Sequence, residues 1–219
     1  MRHLESLGKD YWKSVGQDRN NGRISGNRHD EGNGKSCVLI FEPTTLIMDI
    51  EYVSGVSVAK LHLEEDFDKL TRLMEGLLTE FSIKNVRRVG MRCFSFFAPA
   101  PYEQVTRSFA SFIGSGYSKL IESTLGEIKD FGIALDGQNE SLQYHHRAGP
   151  ARPEEATRQL QRLGSELMQK EDFTAVCDID VYETGITTTY APPRKWARDA
   201  AQLMLSSFRA LESSLKEGD

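Results

Sequence analysis

The chain reads as an α+β protein whose antiparallel sheets are covered by helices on one face. Three observations carry this reading. Asn85–Phe97 and Phe173–Glu183 alternate apolar and polar residues at the period of two that a strand imposes. Each follows one amphipathic stretch of helical period and precedes another. The order strand, strand, helix, strand, helix occurs twice, over 37–125 and again over 126–219, with little residue identity between the two runs. The expected organisation is therefore a poorly ordered polar segment at 1–36, then two successive β-β-α-β-α halves packed as one unit.

Residues 17–35 are dense in Gly, Asn, Asp and Arg and cannot bury enough apolar surface to offset the entropy of ordering. Residues 1–36 hold seven Lys+Arg against five Asp+Glu, which leaves the remaining chain at −7 out of a total of −5. Cys37–Phe41 is a short apolar run, and 46–53 alternates, so Pro43 and its neighbours make the turn of a hairpin. Residues 64–81 place Phe67, Leu70, Met74, Leu77, Leu78 and Phe81 on one helical stripe, with three acidic residues in the first turn. The strand 85–97 follows and ends at the Pro-containing segment 98–101. A helix over 102–121 presents Val105, Phe109, Phe112 and Ile113, and Gly114 and Gly116 weaken its middle. Residues 126–136 and 141–147 read as a hairpin turning at Gly137–Asn139. A helix over 154–169 leads to the strand 173–183, and 185–190 is β-prone. The last helix starts after Pro192 and Pro193 and buries Trp196, Ala200, Met204, Phe208, Leu211 and Leu215.

Composition narrows the function classes. At 39% hydrophobic and 27% charged, the 219 residues are those of a soluble globular protein. No apolar run is long enough to span a bilayer, and the first residues lack a signal-peptide core, so the expected location is the cytoplasm. The acidic balance argues against general nucleic-acid binding. Cys37, Cys93 and Cys177 are far apart and form no CxxC pair, so neither a zinc ribbon nor a redox motif is expected, and each reads as a small buried hydrophobe. No phosphate loop, GxSxG elbow or HExxH occurs. His145 and His146 are adjacent on a strand and point to opposite sides, so they do not chelate one metal. No metal, no cofactor and no catalytic residue is assigned.

The sharpest constellation joins the two alternating strands. Val89, Met91, Cys93 and Phe97 need a core, so Arg88, Arg92, Phe94 and Phe96 face away from it. Cys177, Ile179 and Val181 need the same core, so Asp178, Asp180 and Tyr182 also face away. If the strands share a sheet, these seven residues form one face. Arginine forks bind carboxylate and phosphate in two-pronged fashion. A cross-strand ladder of ion pairs is the purely structural account of the same charges.

RRVGMRCFSFF at 87–97 resembles the arginine–glycine–arginine strand of a sporadically distributed family of uncharacterised bacterial and archaeal proteins, and DFTAVCDIDVYE at 172–183 resembles that family's C-terminal aspartate strand. The match follows order and spacing over about 37–219. The family strand usually continues with Tyr and Asn where Cys93 and Phe94 stand, and the family usually begins with an apolar strand where this chain is polar. The resemblance implies an accessory role, such as phage defence or a toxin–antitoxin pair, and supplies no catalytic residue. The expected function is that of a soluble binding protein, through a protein partner or self-association, with a small-molecule ligand as a further option. The competing expectation is an enzyme with an Arg/Asp site between the halves, acting on a phosphate- or carboxylate-containing substrate.

Overall fold

The computed structural model describes residues 14–18, 23–30, 35–42, 45–52, 71–72, 74–76, 78–80, 82–112, 114–125, 131–155, 158, 173–187 and 193–216. The chain is α+β and divides into two compact units, Met1–Leu61 and His62–Asp219.

The first unit holds a four-stranded antiparallel meander in the order β1 (Ser14–Asp18), β2 (Arg23–Asp30), β3 (Lys35–Glu42), β4 (Thr45–Tyr52). The hairpin expected around Pro43 is β3–β4, closed by Glu42 opposite Thr45. β1 and β2 fall inside the polar segment expected to be poorly ordered. Strand pairing is carried by backbone groups, so low hydrophobicity did not preclude a ladder.

The second unit is built on another four-stranded antiparallel sheet, in the order β5 (Asn85–Phe97), β8 (Ala175–Thr187), β7 (Leu142–Pro150), β6 (Ile133–Asn139). The two alternating strands, equivalent in the sequence pattern, are direct neighbours here. The pattern of halves does not extend to strand pairing: β3–β4 joins β2, whereas β6–β7 joins β8 and, through it, β5. Among the described residues, the helices with full bounds are α1 (Tyr102–Phe112), α2 (Ser115–Leu125) and α3 (Pro193–Lys216).

Local chemistry sets the boundaries. Before β5, backbone at 71–72, 74–76 and 78–80 is helical, within the stripe expected at 64–81; Leu77 lies outside the described residues. That helix ends with Ser82 in the left-handed region at φ 50°, its N–H bonded to the Thr79 carbonyl and the Ile83 N–H to the Leu78 carbonyl, the two bonds of a Schellman cap. The helix expected over 102–121 breaks at Gly114, whose φ of +78° a side chain disfavours, and restarts as α2. The hairpin turns at Glu140–Ser141, not at Gly137–Asn139. Gly137 stays in the ladder opposite Tyr144, whose ring lies where a Cβ would stand. β8 runs on through Gly185 to Thr187, so the β-prone stretch after 183 begins as its continuation.

The core lies on one side of the second sheet. Ala175, Cys177, Ile179 and Val181 of β8 are buried, as are Leu142 and Ala148 of β7. Val105 and Phe109 of α1 are buried, and so are all six stripe residues expected in the last helix. α3 packs on β8 and β5, and α1 on β7. Each large side chain so buried contributes about 1.5–3 kcal/mol relative to exposure. Phe112, expected in the core, is exposed at the end of α1. Among the described residues, no helix is long and apolar enough to cross a membrane.

Candidate functional site

Alternation along β5 and β8 sends the other set of side chains to the far side of the sheet. The register aligns them in rows. Arg88 faces Thr184, Gly90 faces Tyr182, Arg92 faces Asp180, and Phe94 faces Asp178. β7 extends the rows, with Gln143 beside Tyr182, His145 beside Asp180, and Arg147 beside Asp178. β6 adds Asp136 beside His145. All seven residues expected on one face are brought together.

The arginines do not bond the residues directly opposite them. Arg92 Nε and Nη2 donate to Asp178 Oδ1 and Oδ2 at 2.8 and 2.7 Å, a two-pronged fork aimed one same-face position along β8. Arg88 Nη2 donates to Asp180 Oδ2 at 2.7 Å. Both arginines therefore lean the same way along the twisted sheet. The second reach passes over Gly90. The Arg88 guanidinium lies across it, with Cζ and Nε 3.6 Å from where a Cβ would stand, and 4.4 Å from the centre of the Tyr182 ring. The hydrogen bond to Asp178 holds Arg92 above the ordinary arginine range, against a smaller opposing effect of burial, with the charges of Asp178 and Asp180 adding to it.

The network continues across β7 and β6. The Tyr182 ring stacks on His145 with centroids 5.3 Å apart, and its hydroxyl lies 3.2 Å from His145 Nε2. His145 Nδ1 contacts the Asp136 carboxylate. A neutral imidazole donating from Nδ1 to Asp136 accepts the Tyr182 O–H at Nε2. One polar chain thus links all four strands: Asp136, His145, Tyr182, Arg88, Asp180. Sequence reasoning weighed His145 only as a metal ligand and passed over Asp136. Both lie on the face of Arg147 through the register of their hairpin, which the misplaced turn hid.

The aromatic end of the face packs on itself. Phe94 meets Phe96 edge to face at 5.0 Å, and Phe96 meets Phe173 at 5.5 Å. Phe94 and Phe96 are half-buried. The arginines remain open to solvent, with side chains 49% exposed at Arg88 and 62% at Arg92, whereas their carboxylates Asp180 and Asp178 are 23% and 17% exposed. Arg147 is exposed and makes no ion pair among the described residues.

The opposite face carries the thiols. Cys177 Sγ lies 3.4 Å from His146 Nε2. Burial, and less so the Asp178 charge, pushes the Cys93 thiol up to about 12. Cys177 is also raised, by burial first and then by Cys93 and Asp178. Burial lowers His146, against a smaller opposing pull from Asp178. Both shifts favour a neutral S–H···N contact over a thiolate–imidazolium pair, so the arrangement is that of core groups and not of an activated nucleophile. Among the described residues, no three His, Cys, Asp or Glu side chains are grouped to hold a metal ion. No family model, curated protein or solved structure matches the chain.

Proposed function

We propose that the chain is a binding protein that presents the open face of its second sheet to a protein partner. One observation carries this reading: Arg88 and Arg92 are largely exposed yet held at 2.7–2.8 Å by less exposed carboxylates. Guanidinium groups fixed before binding lose little side-chain entropy when a partner's acceptors arrive. The Phe94–Phe96 pair beside them offers the aromatic anchor on which interface energy commonly concentrates. The resemblance of β5 and β8 to the arginine and aspartate strands noted above sets this binding in an accessory role, such as phage defence or a toxin–antitoxin pair.

A second reading has its own support. Arg147, which makes no ion pair among the described residues, lies on the same face, one row from Arg92, which favours a carboxylate- or phosphate-bearing ligand, including the substrate of an enzyme. One experiment tests the first reading. The partner is identified by mass spectrometry of the native complex, purified and titrated against the intact chain. Arg92→Ala combined with Phe94→Ala is expected to weaken affinity at least tenfold, about 1.4 kcal/mol, while far-UV circular dichroism is unchanged. Equal affinity of the folded double variant and the parent would overturn the reading.

A further inference from the structure

We infer that Arg147 of β7 and Arg92 of β5 together seat the terminal phosphate group of a small ligand, above Asp178. This rests on the second reading above and narrows it, from any oxyanion to phosphate and from the whole face to the two residues that hold it.

The pairing across the face leaves one arginine over. β7 sets Arg147 directly opposite Asp178, the usual position for a cross-strand ion pair. Asp178 is taken from its other side. Arg92, whose own opposite residue is Asp180, leans one same-face position along β8 and fills both Asp178 oxygens, with Nε and Nη2 at 2.8 and 2.7 Å. Asp180 in turn holds Arg88. The diagonal arrangement thus spends both β8 carboxylates on the β5 arginines. It leaves Arg147 exposed, with no ion pair among the described residues. The remaining neighbours do not offset its charge. Ala134 stands opposite it on β6. His145, the next same-face residue along β7, is engaged by Asp136 and Tyr182.

The same lean carries Arg92 into the row of Arg147. β5 and β7 flank β8, so their backbones stand about 9.5 Å apart, and Arg92 has already crossed to β8 to reach Asp178. The carboxylate is the covered member of that pair, 17% exposed, and the guanidinium the open one, 62% exposed. An incoming anion therefore meets arginine first, over a carboxylate whose charge is already matched. Donor supply then selects the anion. An arginine carries five N–H donors. Arg92 spends two on Asp178 and keeps three, and Arg147 offers a whole fork. The two oxygens of a carboxylate are filled by one such fork. A phosphate monoester has three acceptor oxygens and a charge of about −1.5 to −2 at pH 7, so it serves arginines arriving from two strands.

NMR of the arginine Nε–H groups tests this on the full chain at constant ionic strength, with inorganic phosphate, methyl phosphate and acetate as probes. Both phosphates are expected to give saturable shifts at Arg147 and Arg92, at least about tenfold tighter than acetate. Arg147→Gln, with far-UV circular dichroism unchanged, should abolish saturation at Arg92. Arg147→Lys keeps the charge but loses the fork and should weaken binding severalfold. Lys195→Gln removes a positive charge from α3 and should leave the affinity as it is. If the Arg147 variants do not fold, the parent's own shifts decide the matter, because they report which arginines the probe touches. Acetate as tight as phosphate would overturn the assignment to phosphate and leave the broader reading of an oxyanion ligand in place. No saturable shift with any probe would overturn both. Phosphate affinity that survives Arg147→Gln, or saturation by inorganic phosphate without methyl phosphate, which marks an adventitious ion only, would also overturn it.

Discussion

On one face of β8, Ala175, Cys177, Ile179 and Val181 lie buried on the helix-covered side. On the other, Asp178, Asp180 and Tyr182 sit half-buried among arginines and a histidine. The two sets alternate along a single strand, yet different forces hold them. The first is stabilised by removal of apolar area from water and depends on shape. The second is held by charged hydrogen bonds near solvent, which are directional, salt-sensitive and individually weak. The covered face therefore supplies most of the stability, and the open face contributes less of it.

The largest expected effects fall on the covered face. Phe109→Ala should destabilise by about 3–5 kcal/mol and Ile179→Ala by about 2–5 kcal/mol, as buried truncations do; both residues are at most 2% exposed. Asp180→Ala, next along the strand from Ile179, should cost at most about 1 kcal/mol. Urea titration reads all three. A cost at Asp180 equal to that at Ile179 would mean that the open face is covered in the free protein and would erase the contrast.

Two glycines sharpen it, one on each face. At Gly137 a Cβ would collide with the Tyr144 hydroxyl and ring, so Gly137→Ala must push that ring aside and should cost about 1–3 kcal/mol. At Gly90 a Cβ would meet Tyr182 Cβ at 3.4 Å and Arg88 at 3.6 Å, ordinary contact distances, so Gly90→Ala should be tolerated. Gly90→Val reaches further and should displace Arg88 from Asp180. A chemical-shift change at the Arg88 guanidinium that appears with Val and not with Ala would confirm the slot.

Acid and base should act through the covered face. His146 is lowered by burial, so the unfolded chain takes up its proton first, and stability falls as pH drops through the ordinary histidine value of 6.5. Cys93 and Cys177 are raised by burial, so the unfolded chain loses their protons first, and stability falls as pH rises above the ordinary thiol value of 9.0. Maximum stability between these limits is the expected result of thermal melts across pH. Iodoacetamide at mildly alkaline pH should leave both thiols unmodified until denaturant is added. Rapid alkylation of folded Cys177 would contradict its place in the core.

Much of the comparison was legible in the sequence because a strand's period is two. Met91 and Cys93 demand one side of β5 and so assign Arg92 to the other; Cys177 and Ile179 do the same for Asp178 and Asp180. The six-residue stripe of α3 was legible for the matching reason at helical period. Register was not. Alternation says that Arg92 and the aspartates share a face, but their pairing depends on the twist and on how far each side chain leans, which arise only when distant strands meet. The turn at Glu140–Ser141 was hidden because Gly137 looks like turn chemistry, and only the ring of Tyr144, seven residues on, explains a glycine inside the ladder. β1 and β2 were hidden because their pairing owes little to side-chain pattern.

The central claim is that the open face is a set of paired charges fixed in a particular diagonal arrangement. Double-mutant cycles measure it directly. Arg92→Ala is combined with Asp178→Ala and, separately, with Asp180→Ala, and each stability is read by urea titration at low and high salt. The expected coupling is about 0.5–1 kcal/mol for Arg92 with Asp178, falling with salt, and smaller for Arg92 with Asp180 despite their direct opposition in the ladder. Coupling that favours Asp180, or none in either cycle, would contradict the arrangement.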